Sequence, residues 1–256
     1  MDFGKNENMR WMWRRYTVNI AVVFAGGTGQ RMNTKTKPKQ FLELHGKPIL
    51  VYTLEEFQRH PEIDGIILVM LESWIDYCQS LVEQYHLTKV TDIVPGGSTG
   101  QQSIYNGVKR AVELYAQDSI VLIHDGVRPL IDADTISRNI ACVKQYGSAI
   151  TVSPAIETTI IKDETGLVGD IVERSRCQLA KAPQSFILKD LWDAHCHAVD
   201  DNRSDFIDSA CLMQSYGYPL HTVEGSPENI KITTPSDFYV FRALEEAREN
   251  SQIFGW

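Results

Sequence analysis

Residues 18–32 read VNIAVVFAGGTGQRM, and the basic stretch KPKQF follows at residues 37–41. The continuous apolar run that opens the segment is typical of a buried strand in a parallel sheet. The glycines after it let backbone N–H groups approach a polyphosphate closely, because no Cβ stands in the way. Arg31, Lys37 and Lys39 can supply positive charge to the same phosphates. The segment therefore predicts a strand followed by a nucleotide-phosphate loop.

Two better-known phosphate loops fit this segment poorly. The dinucleotide-binding fingerprint needs a third glycine where Met32 stands. A P-loop needs Gly-Lys-Ser or Gly-Lys-Thr after the turn, and the sequence has neither there. We expect a nucleotide-phosphate loop of a third kind, and the alternative is a tight turn followed by solvated basic residues. The candidate nucleotide-binding residues of the loop are Ala25, Gly26, Gly27, Thr28 and Gly29.

The composition is that of an ordinary globular enzyme. The chain has 256 residues, of which 43% are hydrophobic and 23% charged. Its net charge of −8 argues against a nucleic-acid-binding protein, which usually carries a basic field. No apolar run approaches the roughly 20 residues that span a bilayer, so we expect no membrane partner. An anionic substrate must then be attracted by a local basic pocket.

The N-terminal segment and the cysteines bear on where the protein acts. Residues 1–17 are basic and aromatic but lack the apolar stretch of a secretory signal, and we expect a disordered or poorly ordered extension. The five cysteines are scattered, odd in number and without Cys-x-x-Cys spacing. This pattern favours reduced thiols in a cytoplasmic protein.

Strand and helix patterns alternate along most of the chain, which predicts right-handed βαβ units and an α/β fold with a largely parallel sheet. Ligands of such sheets bind beyond the carboxyl ends of the strands. Residues 18–250 show no linker or internal repeat, so we expect a single domain. The predicted strands are 18–24, 65–71, 89–94, 119–124, 148–153 and 219–224, and the predicted helices are 48–58, 74–85, 102–115, 132–146, 188–199, 206–216 and 236–250.

The alternation breaks within residues 154–183. Residues 156–162 and 170–174 are strand-like and flank a turn-rich segment, which predicts a β-hairpin arm that leaves the main sheet. The exposed edges of such an arm can pair with a second subunit. The alternative is a surface flap that covers the site.

Two blocks that follow predicted strands carry candidate binding residues. Asp125 ends one strand, where a carboxylate can hold Mg²⁺ or orient a hydroxyl, and Arg128 can bind phosphate with its planar fork. A local bridge between these two side chains is the alternative, and His124 is more often structural than a general base at such a place. Gly96 and Gly97 end another strand.

The remaining candidates lie at helix starts. Ser103 belongs to a hydroxyl-rich helix start, which can bind an anion or a base edge, although capping alone would also explain its hydroxyl residues. Lys231 lies between two isoleucines, which predicts a short apolar strand just before a helix. A lysine that points inward from such a strand needs an anion. An exposed lysine at a sheet edge is the alternative.

These blocks occur in a recognisable order. The glycine-rich turn with Arg31 and Lys39 is followed by HDGVRP at 124–129, APQSF at 182–186 and NIKIT at 229–233. On these motifs the chain, from residue 18 to about 249, resembles the family of 2-C-methyl-D-erythritol 4-phosphate and ribitol-5-phosphate cytidylyltransferases. The resemblance implies a Rossmann-like nucleotidyltransferase domain that joins CTP to a polyol phosphate with Mg²⁺ and releases pyrophosphate. It also implies a homodimer formed through the arm.

The resemblance further implies roles for individual residues. Arg31, Lys39 and Lys231 would hold the CTP phosphates and stabilise the transition state at the α-phosphorus. Asp125 would lie near the nucleotide ribose and the metal ion. The backbone at 25–27 with Gly96, Gly97 and Ser103 would form the cytidine pocket, and the polyol phosphate would be held by Arg128, Thr158 and Arg174, the latter two from the arm and serving the neighbouring subunit.

Departures from the family pattern bear on the choice of substrate. Gly26 stands where the erythritol-phosphate enzymes commonly have a second alanine, and Ser98 and Gly100 stand where many of them carry acidic and basic residues. Ala182 replaces a common threonine. We therefore favour ribitol 5-phosphate as the acceptor. The methylerythritol phosphate enzyme of isoprenoid biosynthesis is the alternative, and a non-catalytic nucleotide-binding module is a remote one.

Overall fold

The strand predicted at 18–24 lies inside the central sheet as β1 (Asn19–Phe24). The computed structural model describes residues 17–26 and 37–254, without the side chains of 251–254. β1 pairs in parallel with β4 (Gly65–Met70) on one side and with β6 (Ile120–Asp125) on the other. The predicted extension, except Thr17, and the candidates Gly27, Thr28, Gly29 and Arg31 lie outside the described residues.

Four more strands complete this sheet: β5 (Val90–Pro95), β7 (Ser148–Pro154), β10 (Gln178–Ile187) and β11 (Thr222–Glu224). Within the described part of the chain the seven strands follow the order β11–β7–β10–β6–β1–β4–β5. Every neighbouring pair is parallel except the two that β10 forms. The mostly parallel α/β sheet predicted from the sequence is confirmed. A short ribbon of β2 (Glu43–Leu44) and β3 (Lys47–Pro48) lies outside it.

Helices cover both faces of the sheet. Successive side chains of a strand point to opposite faces, and the apolar side chains on each face pack against helices. The helices are α1 (Ile49–Arg59), α2 (Ile75–Gln84), α3 (Gly100–Leu114), α4 (Ala133–Tyr146), α5 (Leu188–Asp200), α6 (Ser209–Ser215) and α7 (Pro235–Phe254). In β1, Ala21 and Val23 pack in the core with α1, α2 and α4. Ile20 and Val22 pack in the opposite core with α3, α5 and α6. The central strand is thereby buried on both faces.

The sequence pattern does not predict β10, which runs antiparallel between β6 and β7. Its Pro183 argues against an internal strand, since proline has no N–H for the ladder. In the structure Pro183 lies where the register with β7 shifts between Ala180 and Gln184, so its missing donor is tolerated. Because residues 178–187 belong to the central sheet, the arm is shorter than the predicted 154–183.

The predicted hairpin arm is present as the antiparallel pair β8 (Thr159–Lys162) and β9 (Val168–Val172). Ile160 lies directly opposite Ile171, and their exposed fractions are 53% and 70%. An isolated two-stranded ribbon is at best marginally stable in water. The exposed apolar pair therefore marks the arm as a surface that is suited to packing against another chain.

Two local predictions are wrong. Residues 230–232 form no strand. The Ile232 N–H donates to the Val127 carbonyl at 2.9 Å, and this is a contact between loops instead of part of a β-ladder. The helix predicted at 206–216 begins only at Ser209, because the Asp208 side chain caps it by accepting from the Cys211 N–H.

Two findings concern the wider character of the chain. All five cysteines are free thiols. Within residues 17–26 and 37–254, no helix is both long and apolar enough to cross a bilayer.

Gly107 allows α3 to lie close to β1 and β4. A Cβ at this position would stand 2.5 Å from Val22 Cγ1 and 2.7 Å from Val69 Cγ2. We expect Gly107→Ala to lower the free energy of unfolding by about 1–3 kcal/mol through overpacking, although alanine is the better helix former. Urea unfolding measures the change. Gly100→Ala, at a position of the same helix with open space around it, is the control and should not destabilise; equal stability of both variants would contradict the expectation.

Candidate active site

A cavity of about 480 Å³ opens beyond the carboxyl ends of β1 and β6. Parallel strands bring their carboxyl ends to the same edge, where ligands of such sheets bind. The cavity is lined by residues that follow these two strands, by the start of α3 and by the segments that carry Lys39 and Lys231. Its lining consists of Phe24, Ala25, Gly26, Lys39, Gln40, Leu71, Gly97, Ser98, Thr99, Gly100, Ser103, Asp125, Val127 and Lys231.

Small residues form one wall of this cavity. A Cβ on Gly26 would stand 3.3 Å from Ser103 Oγ and 3.9 Å from the Cα of Gly96. Ser103 Oγ accepts a hydrogen bond from the Gly97 N–H at 3.1 Å and donates to the Thr99 carbonyl at 2.9 Å. The structure thus brings Gly26, the second glycine pair and Ser103 together, as predicted. Ser103 holds the loop in place, and its bond to Thr99 is one that a purely structural serine would also make.

Gln40 holds the chain in place directly after β1. Its buried side-chain amide donates to the Ala25 carbonyl at 2.7 Å. The sequence analysis did not single out Gln40, although it follows Lys39 directly in the KPKQF stretch. Lys39 lines the cavity and donates from Nζ to the Ile232 carbonyl at 2.9 Å. Lys37 instead pairs with Glu43 at 3.3 Å on the surface, so its predicted charge does not reach the lining.

Asp125 is the central charged group of the site. Its Oδ1 lies 2.5 Å from Lys231 Nζ, and its Oδ2 accepts from Arg128 Nε at 2.7 Å. Burial would raise the pKa of this carboxyl, but the attraction of Lys231 and Arg128 outweighs it and holds the pKa at about 2. The carboxylate is therefore ionised at any working pH.

Lys231 projects from the loop before α7 and leaves 42% of its side chain exposed. Its Nζ lies 5.9 Å from the centre of the Phe24 ring. Lys231 meets an anion as predicted, but it lies on a loop instead of a strand and its side chain is exposed instead of pointing inward. Since a half-exposed lysine can turn without unfolding its surroundings, Lys231 is able to transfer from Asp125 to a bound phosphate.

Arg128 makes the local bridge that the sequence analysis kept as the alternative to phosphate binding. Its Nε bonds Asp125, and its Nη1 donates to the Asn229 carbonyl at 2.9 Å. The guanidinium nevertheless lines a second cavity of about 240 Å³. The two roles are compatible, because a guanidinium carries five N–H donors.

The second cavity adjoins the first. Both are lined by Phe24, Gly100, Asp125 and Lys231. The further lining residues of the second cavity are Ile104, Ile123, Arg128, Ala180, Lys181, Ala182, Gln184, Ile207, Asp208 and Ser209. Of these, Lys181 and Ser209 were not predicted, because Lys181 lies on the unrecognised strand β10. No local motif marks Ser209.

The arm residues Thr158 and Arg174 are exposed and line neither cavity of this chain. Arg174 Nη1 is 3.5 Å from the Ile156 carbonyl at the base of the arm. This position agrees with the expectation that they serve a neighbouring subunit, which stays a prediction.

Asp125 is also the predicted metal ligand. In the described part of the chain, no group of three or more His, Cys, Asp and Glu side chains is arranged to hold a metal ion. Mg²⁺ on a nucleotide usually needs only one or two protein carboxylates besides phosphate oxygens and water. An ionised carboxylate at the junction of the two cavities fits that requirement.

The sequence matches the model of the 2-C-methyl-D-erythritol 4-phosphate cytidylyltransferase family over residues 19–246. The chain belongs to this family.

Relatives and solved structures agree with the membership. A ribitol-5-phosphate cytidylyltransferase of Vibrio parahaemolyticus is 50% identical over 93% of this chain and 100% of its own length. A 2-C-methyl-D-erythritol 4-phosphate cytidylyltransferase of Clostridium botulinum is 39% identical over 89% of this chain and 97% of its own. The crystal structure of 4-diphosphocytidyl-2C-methyl-D-erythritol synthase from Anaerococcus prevotii superposes with a TM-score of 0.77 at 26% identity, covering 90% and 96% of the two chains.

The cytidylyltransferase family is one of nucleotidyltransferases, and its expected residues are largely collected at one place in this structure. Ala25, Gly26, Gly97, Ser103, Asp125, Lys39 and Lys231 line the first cavity, and Arg128 lines the second. Gly96 stands directly behind the first cavity, with its N–H bonded to the Met70 carbonyl at 2.7 Å.

His124 is a structural residue of this family member. It is fully buried, its ring lies edge-on to Phe57 at 5.0 Å, and Nε2 lies 3.3 Å from the Arg128 carbonyl. Burial lowers its pKa to about 4, so the imidazole is neutral at physiological pH. It lines neither cavity, which agrees with the structural role favoured from the sequence.

His124 gives the folded state a dependence on pH. Its pKa falls from 6.5 to about 4 on folding, so below pH 6.5 the unfolded chain takes up a proton that the folded protein does not. The free energy of unfolding should therefore decrease by about 2 kcal/mol from this group between pH 7.5 and 5. Urea unfolding of His124→Gln, which retains a donor toward Arg128, should lack that part of the pH dependence. An unchanged difference between the two pH values would contradict this account.

Proposed function

We propose that this protein transfers the cytidylyl group of CTP to ribitol 5-phosphate, giving CDP-ribitol and pyrophosphate. The observation that supports this most directly is the junction of the two cavities at Asp125 and Lys231. A nucleotide in the larger cavity and an acceptor phosphate in the smaller one would meet there, with cations on both sides. Family membership supplies the class of reaction, since the family name describes a cytidylyltransferase.

The reaction needs charge and position more than proton transfer. An oxygen of the acceptor phosphate attacks the α-phosphorus of CTP and forms the new P–O bond. The bond from the α-phosphorus to the bridging oxygen breaks, and its electron pair leaves with pyrophosphate. The nucleophile is already an anion, so no general base is required, in keeping with a neutral, buried His124. The main obstacle is the repulsion between two anions.

The lysines of the site address that repulsion. Lys39 and Lys231 both line the first cavity, and they are linked through Ile232, because Lys39 bonds its carbonyl and Lys231 precedes it in the chain. Positive charge that is held in place before the reaction stabilises the charge that develops on the phosphates. We assign Arg31 the same role on the basis of the family pattern. The glycine wall with Ser103 would receive the cytidine.

We further propose that Mg²⁺ is bound by Asp125 together with phosphate oxygens of the nucleotide. When bound, the ion would neutralise phosphate charge and polarise the α-phosphate. When the substrates bind, Lys231 would move from the Asp125 carboxylate to a substrate phosphate.

Two observations favour ribitol 5-phosphate over the methylerythritol phosphate. The chain is 50% identical to the Vibrio ribitol-5-phosphate enzyme and 39% identical to the Clostridium methylerythritol phosphate enzyme. The turn Ala25-Gly26-Gly27 and the uncharged Ser98 and Gly100 also depart from the erythritol-phosphate pattern. Both enzymes share the chemistry, so the choice concerns the acceptor alone.

We propose that the arm pairs with a second copy of this chain. Its apolar side chains Ile160 and Ile171 are exposed, and a two-stranded ribbon needs further packing to be stable. Pairing with a second copy would place Thr158 and Arg174 beside the partner's acceptor phosphate. The site would then be completed by two chains.

The test of the function is release of pyrophosphate from CTP and Mg²⁺ with either acceptor, assayed side by side. We expect ribitol 5-phosphate to give the higher kcat/KM. A preference for methylerythritol 4-phosphate would overturn the choice of acceptor, and no release with either, while CTP binds, would overturn the proposed reaction.

Lys39→Ala should lower kcat by about 10²- to 10³-fold while the dissociation constant of CTP rises only a few-fold, because the charge matters most in the transition state. Stopped-flow turnover and calorimetric titration with CTP measure the two effects. Lys37→Ala, which removes a surface lysine of the same stretch, is the matched control and should behave as the wild type. Equal losses in binding and turnover for Lys39→Ala would contradict a role in the transition state.

Ile171→Asp should convert the proposed dimer into monomers, because a charge would replace an apolar contact at the proposed interface. Analytical ultracentrifugation measures the mass of the species in solution. Tyr239→Asp, which changes an exposed apolar residue outside the arm, is the control and should remain dimeric. A monomeric wild type would refute the arm interface.

A further inference from the structure

The second cavity carries more positive charge than the structure neutralises. Three cations, Arg128, Lys181 and Lys231, line it against two carboxylates. Asp125 pairs with Arg128 and Lys231, and Asp208 accepts from Gln184 and the Cys211 N–H. Among the described residues, no carboxylate lies within ion-pair distance of Lys181; burial and the nearby Arg128 lower its pKa. A partly buried cation without a counter-ion is unfavourable until an anion arrives.

The hydrogen bonds of Lys181 leave one donor for such an anion. Its Nζ donates to the Pro227 carbonyl at 3.1 Å and to the Asn229 carbonyl at 3.3 Å. An ammonium group has three N–H donors, so the third remains. Arg128 Nη1 donates to the same Asn229 carbonyl at 2.9 Å, which holds the two cations close together. A phosphate has the charge and the several acceptor oxygens that this pair requires.

One of the residues that line this cavity, Ser209, carries a hydroxyl group without a partner in the described part of the chain. Ser209 is buried, and its Oγ has no hydrogen-bond partner among the described residues. Its polar neighbours are satisfied. Gln184 donates to Asp208 Oδ2 and accepts from the Ala210 N–H, and Asp208 Oδ1 accepts from the Cys211 N–H. An unpartnered buried hydroxyl is unfavourable, and a ligand hydroxyl would satisfy it.

We propose that Lys181 and Ser209 recognise the acceptor in the second cavity, with Lys181 donating to its phosphate and Ser209 bonding a hydroxyl of its polyol chain. This inference rests on the proposed function and identifies the residues that select a polyol monophosphate. The phosphate takes up the unneutralised charge beside Arg128. Of two acceptors that differ only at the position facing Ser209, the one with a hydroxyl group there should bind better than the one with a methyl group, because a methyl group would leave Oγ unsatisfied.

Lys181→Met tests the charge. We expect the KM for ribitol 5-phosphate to rise about tenfold or more while the KM for CTP stays within about twofold, because the first cavity is not lined by Lys181. Lys181→Arg should restore most of the affinity. If Lys181 only held the 227–229 loop through its two hydrogen bonds to carbonyls, their loss in Lys181→Met would displace the nearby Lys231 and change kcat and the KM for CTP. That result would overturn the assignment.

Ser209→Ala tests the hydroxyl and removes no internal hydrogen bond, so its Tm should equal that of the wild type. We expect a rise of about fivefold in the KM for ribitol 5-phosphate with an unchanged KM for CTP. Ser73→Ala, at an exposed serine away from both cavities, is the control and should have no effect. Equal constants for Ser209→Ala and the wild type would remove Ser209 from the acceptor site.

Direct titration with ribitol 5-phosphate separates this inference from the proposed reaction. If the wild type binds the acceptor and the two variants bind it more weakly, the assignment is supported even if no pyrophosphate is released, an outcome that would refute only the proposed reaction. If the wild type and Lys181→Met bind it equally, or the wild type does not bind it, the assignment is overturned.

Discussion

The ionised Asp125 carboxylate is the group on which the rest of the site depends. Arg128 and Lys231 approach closely because one oxygen of this carboxylate is available to each. Without the negative charge, the largely buried Arg128 guanidinium and the Lys231 ammonium group would repel each other, and the loss of hydration of Arg128 would not be compensated. With it, the protein maintains a concentrated positive field at the place where two phosphate-bearing molecules must meet. In the proposed mechanism, the same carboxylate would hold the metal ion once a substrate takes over the lysine.

The sheet places that carboxylate by ordinary α/β geometry. β1 and β6 are parallel neighbours, with Phe24 paired to Asp125 at their carboxyl ends, so Ala25 and Gly26 emerge beside the acidic loop. The antiparallel β10 then places Lys181 beside the same edge. Asn229 links β10 to the loop of Lys231 by donating to the Ala182 carbonyl at 2.6 Å. Residues far apart in sequence thereby enclose two adjoining cavities, one for each proposed substrate.

The fold could largely be predicted, because its signals are local. A buried parallel strand is apolar throughout, and amphipathic helices repeat between strands, so β1, β4, β5, β6 and their helices lie close to the predicted ranges. β10 could not be predicted in this way, since Pro183 breaks the local pattern and only the register shift beside β7 makes it acceptable. Lys231 was placed on a strand because isoleucines flank it, yet the hydrogen bond of Ile232 to Val127 is a loop contact.

The sequence by itself determined the class of the protein and most of the charged candidates, because those depend on residue type and spacing along the chain. The tertiary structure decided which of those charges meet. It directed Lys37 to Glu43, joined Arg128 and Lys231 to one carboxylate, and brought Lys181 and Ser209 to the same cavity. Such pairings join residues up to about a hundred positions apart, and their energies depend on burial and distance, which no local pattern encodes.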